Sequence, residues 1–321
     1  MDSNVRVSAV IPSIGRAELA LAVGSVTQQT VPVHPIVVLD RPSAVAKVRR
    51  MLEPYEHTLV MSDSVGGAGA RNLGVDTAAT EYVAFLDDDD QWLPMKTERQ
   101  LRKMSLSSSV RVLAASGMRF VRRRDEIVIP RESPRAKDIA SYLVERPSIR
   151  FGDNCVQSSS LIMPREFAAE VRWDESLRKH QDWDFIIRAL EFDDADLVWV
   201  DDPTLKVYQG SSGSISKSRS WHDSASFYRK HCARMSSRSR ADFIWTQLLR
   251  SSIAATSIQG IQFSVQELGM RIPHAAAVVV GMSGAASIRP SMKSLNRHEV
   301  SKAVDQGTKR ETVVRGRNAQ H

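Results

Sequence analysis

Short apolar runs alternate with longer stretches of helical spacing through the first part of the chain. Arg6 to Ile11 is a β-branched run ending at Pro12-Ser13-Ile14-Gly15, which predicts a strand and a loop. Leu19, Ala22, Val23 and Val26 then recur at helical spacing between Glu18 and Gln29. A second strand is expected over Pro35 to Leu39, closing at Asp40, and Arg49 to Leu52 ends a further helix. Thr58 to Met61 predicts a third strand. Gly66-Gly67-Ala68-Gly69 leads into a helix over Ala70 to Ala78, and Tyr82 to Leu86 is the fourth strand. Alternation of this kind implies an α/β fold, with a mostly parallel Rossmann-like sheet flanked by helices and ligands gathered at the strand carboxyl ends. Pro12-Ser13, Asp40 and Asp87 to Asp90 fall at three such ends, so one crevice is expected to hold them all.

The four consecutive aspartates Asp87 to Asp90 carry the chemistry. Like charges behind a buried strand raise each other's energy, more so as the surroundings dry out, and something positive is expected there. Magnesium or manganese fits, because such ions accept hard oxygen ligands and take one or two carboxylates plus substrate phosphates. The other reading is a solvated turn in which Asp90 caps a helix beginning near Trp92. The glycines at 66, 67 and 69 resemble a phosphate-cradling helix start but match neither standard phosphate-loop pattern. Taken with Arg71, they make a metal-bridged nucleoside diphosphate a reasonable ligand. Asp40 would accept hydrogen bonds from base or ribose, or serve only as a strand-end turn residue.

Charge divides the chain. From Lys217 onward there are 17 Lys and Arg against 6 Asp and Glu, a balance of +11, which leaves −4 for residues 1–216 within a total of +7. The basic part suits solvent or anionic lipid, and no motif accompanies it that would favour nucleic acid. Two distant cysteines give neither a zinc pattern nor a disulfide framework. Together with a first stretch lacking a signal-peptide core, they point to a reducing, cytoplasmic setting, with peripheral attachment at the inner membrane face left open.

Several segments resemble the inverting glycosyltransferases of family 2. These are Val7 to Pro12, Ser25 to Thr30, Val37 to Asp40, Gly69 to Gly74, Glu81 to Asp90 with Leu93-Pro94, Trp173 to Leu177, Gln181 to Phe185, and a closing loop from Tyr208 to Ser216. The resemblance implies a GT-A fold over residues 1–216 and a nucleotide sugar as donor, with a glycan or lipid-linked glycan as acceptor. By position it implies Asp89 and Asp87 as metal ligands, and Pro12, Ser13, Arg16, Asp40, Arg71, Asp87 and Asp88 as donor-binding residues. Asp182 would be the base that deprotonates the acceptor. Asp182 and Asp184 also open an apolar-periodic helix, so either would serve as a cap or dipole partner instead. Trp173 and Trp183 would shape an acceptor platform or simply pack in the core. Gln181 stands where many members have Glu. The rival readings are a nucleotidyltransferase using the same aspartates, and a non-catalytic nucleotide-sugar-binding or scaffold protein.

After Ser216 the resemblance fades. Residues 217–288 predict a helical extension, with helices over Trp221 to His231, Ala241 to Gln259 and Ala275 to Ala286. The second carries a broad apolar side, suited to core packing or to a membrane interface. Residues 289–321 form a basic tail expected to be flexible.

Overall fold

A computed structural model describes residues 6–208 and 220–287. The expected closing loop from residue 209 on, and the tail from residue 289, lie outside the described residues. The chain opens as β1 (Val7–Ser13), α1 (Leu19–Thr27), β2 (Val33–Leu39), α2 (Val45–Leu52), β3 (Thr58–Met61), α3 (Gly66–Thr77) and β4 (Tyr82–Phe85). It continues through β5 (Gln91–Trp92), α4 (Lys96–Met104), the hairpin of β6 (Arg111–Val121) and β7 (Glu126–Ile129), α5 (Ile139–Val144), β8 (Ile162–Pro164), α6 (Arg165–Val171), α7 (Gln181–Ala189) and β9 (Ala195–Tyr208). One sheet holds all nine strands in the order β3-β2-β1-β4-β8-β6-β9-β5, with β7 on β6.

The first four strands pair in parallel, with Ser13 beside Leu39 and Val10 beside Phe85. β8 then runs antiparallel to both β4 and β6, whereas β9 is parallel to β6, so the sheet is mixed. Chain order reverses direction across β1, with β2 on one side and β4 on the other. At such a switch point the loops leaving the strands splay apart and open a crevice. The end of β1 carries Ser13 and the loop after β4 carries the aspartates.

Both sheet faces are covered, which explains why these strands read as unbroken apolar runs. Val10, Ile36, Val38, Val83 and Phe85 pack on one side with α3 and α7. Ile11, Val37, Leu39, Ala84 and Leu86 pack on the other with α1 and α2. Gly74 lets α3 lie directly on β1, since a Cβ there would stand 2.2 Å from Val10 Cγ1. Gly15 turns the chain after β1 at φ +80°, where a Cβ would also meet Ala44 at 2.8 Å.

Behind residue 220 come α8 (Trp221–His231), α9 (Ser237–Phe243), a six-residue π-helical segment (Ile244–Leu249), α10 (Arg250–Ala254), α11 (Ile258–Leu268) and α12 (Ala275–Met282). Phe227, Tyr228, Phe243, Ile244 and Leu248 join the same apolar cluster as Phe85 and Phe185, so these helices pack on the sheet layer. The single helix expected over Ala241 to Gln259 is instead two. Thr256 turns left-handed at φ 51°, and the Ser257 hydroxyl caps α11 by accepting from the Gly260 amide. Among the described residues no helix is long and apolar enough to cross a membrane.

Candidate functional site

Four loops converge on the crevice. From β1, Ser13 Oγ donates to Asp88 Oδ2 at 2.6 Å, and Arg16 Nη1 donates to Asp88 Oδ1 at 2.8 Å and more distantly to Asp89 Oδ2 at 3.4 Å. Pro12 is the penultimate residue of β1, in register with Val38. From α3, Arg71 Nη2 donates to Asp87 Oδ1 at 2.5 Å while its guanidinium lies over the Trp173 ring. From the turn Ser158–Ser160, Ser158 Oγ donates to Asp87 Oδ2 at 3.1 Å. Ser159 Oγ accepts from the Asp87 amide and donates to Asp90 Oδ2 at 2.6 Å.

Each aspartate therefore has its own surroundings. Asp90 is buried and receives Ser159 and Gln157, and burial with the charges of Asp87 and Asp89 pushes its carboxyl well above the usual range. It caps no helix, because Gln91–Trp92 is a strand and α4 starts only at Lys96. Trp92 is drawn off instead by its own hydrogen bonds to Ser25 Oγ and the Ser159 carbonyl. Burial also raises Asp88, against the pull of Ser13 and Arg16. Asp89 has the 3.4 Å contact with Arg16 as its ion pair. It is the carboxylate of the four with the most unused acceptor capacity, since an ionised carboxylate offers about four lone-pair sites. No cage of three or more metal-ligating side chains gathers among the described residues. Magnesium or manganese needs none when phosphates complete the shell, so Asp89, with Asp87 beside it, fits such an ion.

Asp40 is placed differently. Its Oδ1 accepts from Ser62 Oγ and the Val65 amide, and its Oδ2 accepts from the Gly66 amide, each at 2.8–2.9 Å. A carboxylate thus sits on the first amides of α3, which begins at Gly66 rather than Ala70. The anion expected at the glycine-rich helix start is, in part, the protein's own.

The start of α7 meets this corner through Gln181, whose Oε1 accepts from Arg71 Nη1 at 3.4 Å. Asp182 follows, half-buried, with the Trp183 amide donating to its Oδ1 at 3.0 Å. Burial pushes its carboxyl up to about 6, the Trp183 amide and Arg71 pull it down, and the charge of Asp87 pushes it up again. Asp184, two residues on, is fully buried. Burial works upward on it too, yet His231, Arg188 and Lys230 outweigh that and hold it well below the ordinary carboxylate range. Trp173 lies in the core, 2% exposed, stacked on Phe185 at 4.2 Å. Trp183 is half-buried and stacks on His180.

Sequence reasoning missed Gln157, Ser158 and Ser159, which hold the aspartates from about 70 residues away. Three consecutive serines carry no signal of their own; only the fold shows what they face. The Arg71–Gln181 link was equally hidden, although both residues had been noted separately.

Residues 8–155 match the family model described as "Glycosyl transferase family 2". The chain is 30% identical over 200 residues to the amylovoran biosynthesis glycosyltransferase AmsB of Erwinia amylovora, covering 58% of this chain and 64% of that protein. It is 30% identical over 102 residues to the Escherichia coli UDP-Glc:alpha-D-GlcNAc-diphosphoundecaprenol beta-1,3-glucosyltransferase WfgD, covering 30% of this chain and 40% of that protein. The matched stretches span less than two thirds of these relatives. In structure the chain resembles residues 1–349 of S. aureus TarS, solved in complex with UDP-GlcNAc, at a TM-score of 0.57 and 12% identity over 88% of each chain. Sheet order and crevice agree with these matches: residues 8–155 resemble glycosyltransferase family 2, and the chain is built on the GT-A fold.

Proposed function

We propose that the protein transfers a sugar from a nucleoside diphosphate sugar to a hydroxyl of a glycan or lipid-linked glycan, with inversion at the anomeric carbon. The observation that carries this reading is the 3.4 Å contact between Arg71 and Gln181. It joins the acidic corner to Asp182, so the group suited to hold a diphosphate adjoins the group suited to take a proton.

The step is a single displacement. The acceptor oxygen gives its proton to Asp182 and bonds to the anomeric carbon, while the bond to the diphosphate oxygen breaks and the nucleoside diphosphate departs. A carboxyl raised to about 6 is ionised near neutral pH, yet more basic than an exposed aspartate, which suits a general base. Asp89 and Asp87 would hold magnesium or manganese, whose contribution is to stabilise charge growing on the departing diphosphate. Ser13 and Arg16 fix Asp88 and bring a cation to the donor side. Ser13, Pro12 and Asp40 line the strand ends where the nucleoside would lie. The relatives' names support glycan assembly as the setting, and the +11 balance from residue 217 on supports weak attraction to an anionic membrane surface.

Thermal unfolding with a panel of nucleoside diphosphates and manganese tests the reading. One nucleotide should raise the melting temperature by mass action, and Asp89→Ala should remove the metal-dependent part of that rise. If no nucleoside diphosphate stabilises the protein with any divalent ion, the transferase reading fails.

A further inference from the structure

Lys96, the first residue of α4, is fully buried, and the mechanism gives it no part. Burial drives its amine well below the ordinary lysine range, and no neighbouring charge offsets that. An apolar side chain of similar length would fill the same space without the cost of burying a polar head. What the amine touches accounts for its presence. Its Nζ donates to Gln100 Oε1 at 2.6 Å, one turn along the helix, and lies 4.2 Å from the centre of the Trp92 ring.

Both neighbours lead to the serine turn. Gln100, also fully buried, donates from Nε2 to the Ser160 carbonyl at 2.7 Å, and Trp92 donates from Nε1 to the Ser159 carbonyl at 3.0 Å. A carbonyl can only accept, so Ser160 fixes Nε2 toward itself and leaves Oε1 facing Lys96, where it needs a donor. Without the amine, Oε1 is a buried acceptor with no partner, and the amide loses what keeps it turned to Ser160. Two consecutive carbonyls of the turn are thus held by groups that Lys96 orders. The same turn sends its hydroxyls into the crevice, Ser158 to Asp87 and Ser159 to the Asp87 amide and Asp90. The path from Nζ to the corner is short and made of hydrogen bonds throughout.

We propose that Lys96 is a positioning residue for the aspartate corner: it holds Gln100 and Trp92 against the serine turn, and the turn sets Asp87 to receive a divalent cation. On the transferase reading above, Lys96 contributes to donor binding without touching the donor. Manganese titration of the full chain, followed by the paramagnetic resonance of the free ion, tests it. Lys96→Met should bind manganese about tenfold more weakly, the low end for loss of groups that orient metal ligands. Lost stability does not by itself lower the affinity of a protein that stays folded, so the titration is made far below the unfolding temperature. Met104→Ala, buried on the same helix but outside these contacts, controls for packing and should change the affinity by less than about twofold. Trp92→Phe keeps a ring beside Nζ and removes the donor to Ser159, so it should weaken manganese in the same sense and decides the matter should Lys96→Met fail to fold. Unchanged affinity in whichever of these two variants decides overturns the inference and leaves the transferase reading untouched. An equal loss in Met104→Ala also overturns it, because packing of α4 would then be the cause. A wild type that binds no manganese overturns the metal assignment and this inference with it, while stabilisation by a nucleoside diphosphate still judges the transferase reading.

Discussion

Behind β4, Asp87, Asp88 and Asp90 each accept short hydrogen bonds from serine or arginine, and among the described residues Asp89 has only a long contact. In the first turn of α7 the division is sharper. Asp184 is enclosed by Arg188, Lys230 and His231, whereas Asp182 has its neighbour's amide and little else. In both places neighbouring carboxylates differ in how fully the protein's own groups satisfy them, with Asp89 and Asp182 the less engaged. The partners differ in kind. The corner sets serine hydroxyls and two arginines, Arg16 and Arg71, against four aspartates, while the single Asp184 is matched by Arg188 and Lys230 and pins α8 to α7. The pattern teaches that charge density alone does not mark the reactive group; unsatisfied charge does.

The contrast within α7 breaks most visibly at Asp182. Asp182→Asn is expected to lower transfer by about 10³-fold with donor binding kept, the range for loss of a general base. Its sign on stability is opposite. A carboxyl at about 6 when folded and 3.8 otherwise binds protons more tightly in the folded state, so wild-type stability falls as pH rises through that interval. Above it the amide variant should be more stable by on the order of 2 kcal/mol, read by urea unfolding at neutral pH. Wild-type turnover should also rise through about pH 6, a limb the variant lacks. Transfer that survives the substitution removes Asp182 from the mechanism.

Asp184→Asn should act in the other direction, destabilising by about 3–5 kcal/mol because cations are left buried and unmatched. Asp184 is held below its unfolded value, so its contribution is full above about pH 4, the unfolded range, and is lost as pH falls toward the depressed folded value. The gap between wild type and variant should therefore narrow in acid unfolding curves. A gap independent of pH would mean packing, not charge, holds α8. The smallest effect belongs to the corner. Ser159→Ala removes the partner of the Asp87 amide and leaves Asp90 Oδ2 with Gln157 alone, and should cost about 1–3 kcal/mol in chemical unfolding. If the corner is tuned for its cation, manganese affinity should fall too; unchanged stability and affinity would make the serine incidental.

Much of this molecule was readable from local pattern. Arg6 to Ile11, Thr58 to Met61 and Tyr82 to Leu86 read as strands because a sheet covered on both faces favours continuous apolar runs, and the first of them extends in the structure to Ser13. The start of α3 was misplaced because its amides are capped by Asp40, which belongs to another strand end. Asp90 was offered as a helix cap because its true partners, Gln157 and Ser159, are remote in sequence. The break at Thr256 escaped notice because apolar residues continue on both sides of it.

The sequence by itself determined the order of the first four strands and the helices between them, the concentration of carboxylates behind one strand, and the separation of an acidic from a basic part, since these follow from periodicity and composition. Only the tertiary structure decided which carboxylates are spent on serines, arginines and lysines and which stay open. A hydrogen bond or ion pair depends on distance in space, and here the partners stand anywhere from 4 to 75 positions apart along the chain.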